Sequence, residues 1–474
     1  MYEAEFNGRL EKGNGKQLII FSVLSLGTGL LLWLLLGNLH QTLAGTIFMS
    51  TVYGTLVFWK FRVAIAFLGI VLLLLTRTID LTTTIAFMSI DVIIFLMGMM
   101  VIVGMLRQTG FFRWLLAFGL KLSGFEPYRL MIILLFLSAV TASMVDEVTS
   151  ILFMMALTLD FCEQFKLKPV KYVISVVFAT NIGSAWTVLG NPIGILIALR
   201  SGLTFEDFIM NAFPIGFVAL IGIIILSLIW QRDDLRTLGA NMRIMPIEDR
   251  ERFLSGLLKI ENKPFFRGGV IVFITTLVAL ALHSRLELLL GLEKNTLLVA
   301  TSIAGAGIVM LWQRAQAQHY IQRDVDWSVL VFFMFLFAKA GTIYHVGLSD
   351  VLTETIAAST GGGNPYILVP FMLWFSGITS AMLDNVVAVA ALIPSTLSLS
   401  EMVGTDVLWW ALLFGGCFGG NATMVGSTAN IIALGMLEKR AGYSVTLGYW
   451  LKIGIFGAGI PMIIATVAML IFNV

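Results

Sequence analysis

Residues Ser143–Leu152 read SMVDEVTSIL. Two adjacent carboxylates, Asp146 and Glu147, stand in the middle, and about sixteen residues on either side are almost wholly apolar. At the centre of a bilayer an acidic side chain costs about 2.5–3.5 kcal/mol on insertion scales, so two in succession imply a use. The kind of segment that carries them decides the fold.

The surroundings are those of a membrane protein. Of 474 residues, 58% are hydrophobic and 12% charged, against about a quarter charged in soluble domains. Uncharged apolar runs at 18–36, 92–106 and 215–230 are membrane-span signals. The expected class is an all-α polytopic membrane protein. Its spans are expected at 17–36, 43–59, 62–76, 88–106, 172–200, 208–230, 267–284, 296–312, 327–345, 406–438 and 447–472, eleven in all. The longest polar segment, about 231–267, is too short for a further domain. Two cysteines, Cys162 and Cys417, exclude a disulfide framework and read as packing residues. The first apolar run lacks a small-residue cleavage site and reads as a retained span.

Two apolar stretches fit no simple span: 128–162, which carries the quoted acids, and 364–398, each 35 residues long. One span needs about twenty residues, and two need about forty plus a turn, so this length predicts two half-length arms, a re-entrant hairpin. Positive charge agrees. With a cytoplasmic N-terminus and each hairpin returning to its own side, 25 of the 30 Lys and Arg fall on cytoplasmic segments and four on outer ones. Lys339 alone lies within a span. The C-terminus then lies outside.

The two halves resemble each other. TASMVDEVTSILFMMAL (141–157) matches TSAMLDNVVAVAALIPS (379–395), and NIGSAWTVLGNPIGILIAL (181–199) matches NATMVGSTANIIALGML (421–437). Asp146 pairs with Asp384, Asn181 with Asn421, and Glu147 is matched by Asn385. The charge count starts one copy outside and the other inside, so the repeats are expected to be inverted, a signature of secondary transporters. The expected organisation is 1–87 N-terminal scaffold spans; 88–230 a first repeat (span, hairpin 128–162, broken span 172–200, span 208–230); 231–266 a cytoplasmic linker; 267–326 scaffold spans; and 327–474 a second repeat (span, hairpin 364–398, broken span 406–438, span 447–472). The broken spans are interrupted at Asn181–Gly194 and Gly419–Asn430, where glycine and proline loosen the helix. Unwound backbone survives in a bilayer only where it lines protein or a cavity. Its free carbonyls, with Asn and Thr side chains, can ligate a hard cation.

SAMLDNVVAVAALIP (380–394) and GGNATMVGSTANIIALGMLEKRAGYSV (419–445) closely resemble motifs of the ion transporter superfamily. They are most similar to its arsenite-efflux and NhaD-type sodium–proton antiporter branch, whose relatives include the P proteins and silicon effluxers with a citrate transporter-like domain. The resemblance runs from about residue 45 to 474. It implies eleven spans, two opposed hairpins, a homodimer, and a transport domain moving against a scaffold. The chain departs from the branch at Glu147, where the branch commonly has Asn. It departs again at Asn191, where Asp is common, and at Gly194, where Asn is common.

Candidate substrate- and ion-binding residues are Asp146, Glu147, Thr149, Asn181, Thr187, Asp384, Asn385, Asn421, Thr423 and Asn430. Neighbouring carboxylates cannot both ionise cheaply in low dielectric, so one is expected to hold and release a proton. Asp146 and Asp384 also suit the capping of hairpin-tip helices, and Glu147 reads alternatively as a hydrated tip. Lys339 is a possible charge partner for an acid in the same cavity, a proton-linked cation, or a lysine snorkelling outward. Asn181, Asn421 and Asn430 are expected to brace the breaks, and Asn191-Pro192 to act as a helix breaker. The four histidines, at span edges or in loops, read as bland.

The function expected is gradient-driven secondary transport across the inner or plasma membrane, cation (Na+)/proton antiport by an elevator-like alternating access. The alternatives are proton-coupled efflux of arsenite or silicic acid, then sodium-coupled uptake of di- or tricarboxylates, which the tip carboxylates disfavour by repulsion. No cofactor beyond the coupling ion, H+ or Na+, is expected, nor a metal or nucleic acid. The partners are the lipid bilayer and a small ion substrate. No HExxH, GxSxG or Walker motif points to an enzyme or to ATP.

Overall fold

The computed structural model describes residues 2–58, 61–244 and 258–472, with Glu248, Ser255 and Gly256 between the last two. Lys60, and residues 245–247, 249–254 and 257 of the expected linker, lie outside the described residues. The described secondary structure is helical throughout. That is the form in which an apolar chain satisfies every backbone polar group within one segment.

The first five helices belong to the expected scaffold side or lead from it: α1 (Tyr2–Leu36), α2 (Leu39–Val57), α3 (Arg62–Leu75), α4 (Leu81–Ala86) and α5 (Ile90–Gln108). Then come α6 (Phe111–Ser123), α7 (Pro127–Val145), α8 (Glu147–Gln164), α9 (Val170–Gly183), α10 (Pro192–Ser201), α11 (Phe213–Trp230) and α12 (Arg232–Ile244). After the linker follow α13 (Lys263–Leu290), α14 (Thr296–Trp312), α15 (Trp327–His345) and α16 (Leu348–Ser359). The last five are α17 (Pro365–Met382), α18 (Asn385–Val403), α19 (Val407–Gly419), α20 (Thr428–Ala441) and α21 (Leu447–Phe472).

Among the described residues nine helices are long and apolar enough to cross a membrane, or ten if one bent pair counts as a span. Three of the nine, α7, α17 and α18, belong to the stretches expected to be hairpins. The expected spans 172–200 and 406–438 are each two shorter helices, α9 with α10 and α19 with α20, separated where the glycines fall.

Asp146 ends α7 and starts α8 with φ 84° and ψ 153°. This is a region that costs a non-glycine residue about 1–3 kcal/mol and persists where its surroundings over-determine it. The chain doubles back there. The Thr141 and Ser150 hydroxyls are hydrogen-bonded at 2.8 Å, whereas nine residues of continuous helix would hold them about 13 Å apart. The second unit breaks at Leu383–Asp384, and α17 packs against α18. The arms, however, are 18 or 19 residues long, or about 27 Å at helical rise. They are close to full bilayer depth rather than half-length, so charge distribution, not length, carries the re-entrant reading.

Close backbone approach registers one half on the other. A Cβ at Gly183 would run into the backbone of Ala139, and one at Gly419 into that of Gly377. Gly190 abuts Ser184 as Gly426 abuts Gly420. The Thr187 hydroxyl donates to the Ser143 carbonyl as the Thr423 hydroxyl donates to that of Ala381. In this register Asp146 still matches Asp384, but Asn181 falls opposite Cys417, not Asn421. The breaks are equally long, 184–191 and 420–427, but Asn181 stands inside α9 before its break whereas Asn421 stands past the end of α19, so the sequence match slips by one helical turn. Overpacking against backbone has no easy relief, so Gly183→Ala and Gly419→Ala are each expected to lose roughly 3 kcal/mol of stability. Gly307→Ala, with open space around it, is the control. Thermal unfolding in detergent checks this, and equal midpoints for all three variants would refute the close-packing account.

Candidate ion-binding site

The two helix–break–helix units meet tip to tip. Glu147, the first residue of α8, is 1% exposed. Its carboxylate accepts from the Asn385 amide, the first residue of α18, at 3.2 and 3.3 Å. The Ser184 hydroxyl donates to it at 3.3 Å. Both of these hydrogen-bond partners are neutral. Ser184 in turn accepts from the Asn191 amide at 2.9 Å, and Asn191 also reaches the Cys417 sulfur at 3.0 Å.

Each tip acid caps its helix. The Asp146 carboxylate accepts from the Thr149 N–H at 2.9 Å, which is the site contribution of Thr149. Asp384 accepts from the Val386 N–H at 3.1 Å and from the Thr428 hydroxyl at 2.7 Å. Capping of this kind is worth about 1 kcal/mol. Asp384 is buried, whereas Asp146 is half-buried. Both lie within electrostatic reach of Glu147.

The breaks are tied together by asparagines. Asn181 donates to the Asn421 and Asn430 side-chain oxygens at 2.8 and 2.9 Å and accepts from Ser427 at 3.2 Å. Asn430 donates to the Gly420 and Thr423 carbonyls, both at 2.8 Å. Asn421 donates to the Gly457 carbonyl at 3.2 Å, and its own carbonyl accepts from the Trp450 indole at 3.0 Å. The three asparagines thus hold freed backbone, as their position in the breaks suggests. Thr187 and Thr423 also spend their hydroxyls on carbonyls just before the tips.

Lys339 is not at the tips. It is 1% exposed, it donates to the Thr51 hydroxyl at 2.8 Å, and its ammonium lies against Gly69. It forms no ion pair among the described residues. Its ammonium therefore stands among α2, α3 and α15, and it pairs with none of the tip acids.

Five contributors escape a reading of sequence alone. Arg62, at the start of α3, lies within electrostatic reach of Asp384 and Asp326 and sits 5.5 Å over the Phe332 ring. In sequence it is one more loop cation beside Lys60. Ser184 and Thr428 sit inside the breaks, and their spacing to Asn181 and Asn430 was the available signal. Asn191 caps α10 through its side-chain oxygen at 2.7 Å from the Gly194 N–H, yet its amide joins the network. Cys417 is a member of the network rather than mere packing, because Asn191 crosses to it from the other half.

The model of the citrate transporter family matches residues 53–415 of this chain. An uncharacterized transporter of Mycobacterium tuberculosis is 31% identical over 387 residues, covering 80% of this chain and 85% of the relative. A 46 kDa membrane protein of Mycobacterium leprae is 30% identical, over 76% of this chain and 80% of its own length. The human P protein is 25% identical, over 87% of this chain and 58% of its own.

Proposed function

Because the chain belongs to the citrate transporter family, we propose that this multi-span membrane transporter exchanges protons for a small cation, sodium first, where its two tips meet. The observation that carries the reading is the buried contact of Glu147 with Asn385. A carboxylate held only by neutral amide and hydroxyl groups is suited to take up a proton and release it. Asp384, Thr428 and the half-buried Asp146 supply oxygen ligands of the kind a hard cation prefers.

In this reading the two units are re-entrant hairpins of an inverted repeat, entering from opposite faces. The charge asymmetry supports a cytoplasmic N-terminus and an outer C-terminus. Helices α7–α11 and α17–α21 form the moving body of an elevator-like cycle within a homodimer, and the remaining spans form the scaffold. Proton and cation share the same carboxylates, so loading one excludes the other.

The test is ligand-dependent thermal stabilisation of the purified protein across pH. Binding to the folded state raises its stability by RT ln(1 + [L]/Kd). Sodium is expected to stabilise more at alkaline than at acidic pH, because protons vacate the shared carboxylates as pH rises. Equal sodium stabilisation at all pH values would sink the shared-site reading. The proximity of Arg62 to Asp384 and Asp326 favours a second reading, a carboxylate substrate. Stabilisation by citrate or succinate, without sodium, would replace the first reading with that one.

A further inference from the structure

On the face made by α9, α11 and α21, two adjoining hollows share Tyr449. One, of about 320 Å³, has mostly apolar walls but gathers Lys168, Lys171, Asp234, Ser444 and Thr446 in its lining. The other, of about 410 Å³, is an apolar groove along Ile229, Trp230, Ile453 and Phe456, with Lys452 at its edge. We propose that together they bind one anionic phospholipid, with its phosphate in the lysine chamber and an acyl chain along the groove.

Three observations carry this. The first is charge. Lys171 is spent on Asp234 at 2.6 Å, but Lys168 and Lys452 are exposed and form no ion pair among the described residues. The chamber therefore holds surplus positive charge, which basic pockets between membrane helices use on anionic headgroups. The second is the boundary. Trp230 and Tyr449 stand between chamber and groove with ring centroids 6.4 Å apart, and the Lys171 ammonium lies 5.8 Å over the Trp230 ring. Amphipathic rings take this position at the level of lipid headgroups. The third is the groove itself. Ile229 is 70% and Phe456 55% exposed, so this surface has no protein cover and is open to an acyl chain. A free phosphate or a soluble anion would leave it unused.

The site is coupled to the asparagine network through α21. Trp450, next to Tyr449, donates to the Asn421 carbonyl, and Gly457, next to Phe456, accepts from the Asn421 amide. A lipid seated here fixes the helix that holds the second break open.

Lipid retention tests the proposal. The delipidated full-length protein is titrated with phosphatidylglycerol, phosphatidylcholine or inorganic phosphate and analysed by native mass spectrometry, with thermal unfolding in parallel. Phosphatidylglycerol is expected to be retained and to raise the unfolding midpoint, with phosphatidylcholine and phosphate doing neither. The double variant K168Q/K452Q is expected to weaken retention roughly tenfold or more, from the loss of two near-surface charges. Its lipid-free midpoint is expected to be unchanged, because neither lysine forms an ion pair among the described residues. Equal retention of phosphatidylcholine, equal stabilisation by phosphate alone, or full retention by the double variant would each overturn the assignment.

Discussion

Glu147→Gln eliminates proton-coupled exchange and leaves the protein folded. Glutamine keeps the shape of the side chain and an oxygen that accepts from Asn385 and Ser184, the hydrogen-bond donors to Glu147. What it removes is the ability to carry a proton. Transport driven by a pH gradient should fall to the background of empty vesicles. The unfolding midpoint should hold or rise, because a neutral amide is less costly to bury than a carboxylate without a counter-charge. Asp384→Asn should behave differently. It keeps the Thr428 contact but removes a cation ligand, so cation affinity should fall along with transport. Radioactive sodium uptake into proteoliposomes measures both variants. Wild-type rates in Glu147→Gln would remove Glu147 from the mechanism.

The largest loss of stability is expected at Asn181. Its side chain donates to both Asn421 and Asn430 and accepts from Ser427, all fully buried. Asn181→Ala leaves two buried acceptors and one buried hydroxyl short of a partner. Each orphaned group costs about 1–3 kcal/mol, so the total should reach roughly 3–5 kcal/mol. Asn181→Asp retains the acceptor for Ser427 but turns both donated bonds into contacts between acceptors, so it should not rescue. A fall in stability below about 1 kcal/mol for Asn181→Ala, measured by chemical unfolding in mild detergent, would mean that the network does not hold the breaks together.

Much of this arrangement is legible in sequence because a membrane punishes exceptions. Carboxylates at 146 and 384, and glycine-asparagine interruptions inside apolar spans, stand out against a background that tolerates neither without a reason. The reversal at Asp146 and the bracing role of Asn421 and Asn430 follow from that background. What sequence could not reveal is how the halves close on each other. Glu147 and Asn385 are read as counterparts from the repeat, but their direct contact needs the fold. Arg62 looks like a loop charge until α3 is set beside the second tip. Lys339 looks like a partner for an acid until the fold sets its ammonium on the Thr51 hydroxyl, against Gly69. The slip of Asn181 against Asn421 has the same origin, because strings align by letters whereas the register is set by where backbone can touch backbone.

The central claim is that protons and a cation are exchanged at the meeting of the two tips. Proteoliposomes loaded with a pH-sensitive dye and given an external sodium pulse test it most directly. The account predicts that the vesicle interior turns alkaline as sodium enters and protons leave, and that Glu147→Gln vesicles show no such change. No sodium- or lithium-dependent proton movement in wild-type vesicles, or the same movement in Glu147→Gln, would contradict it.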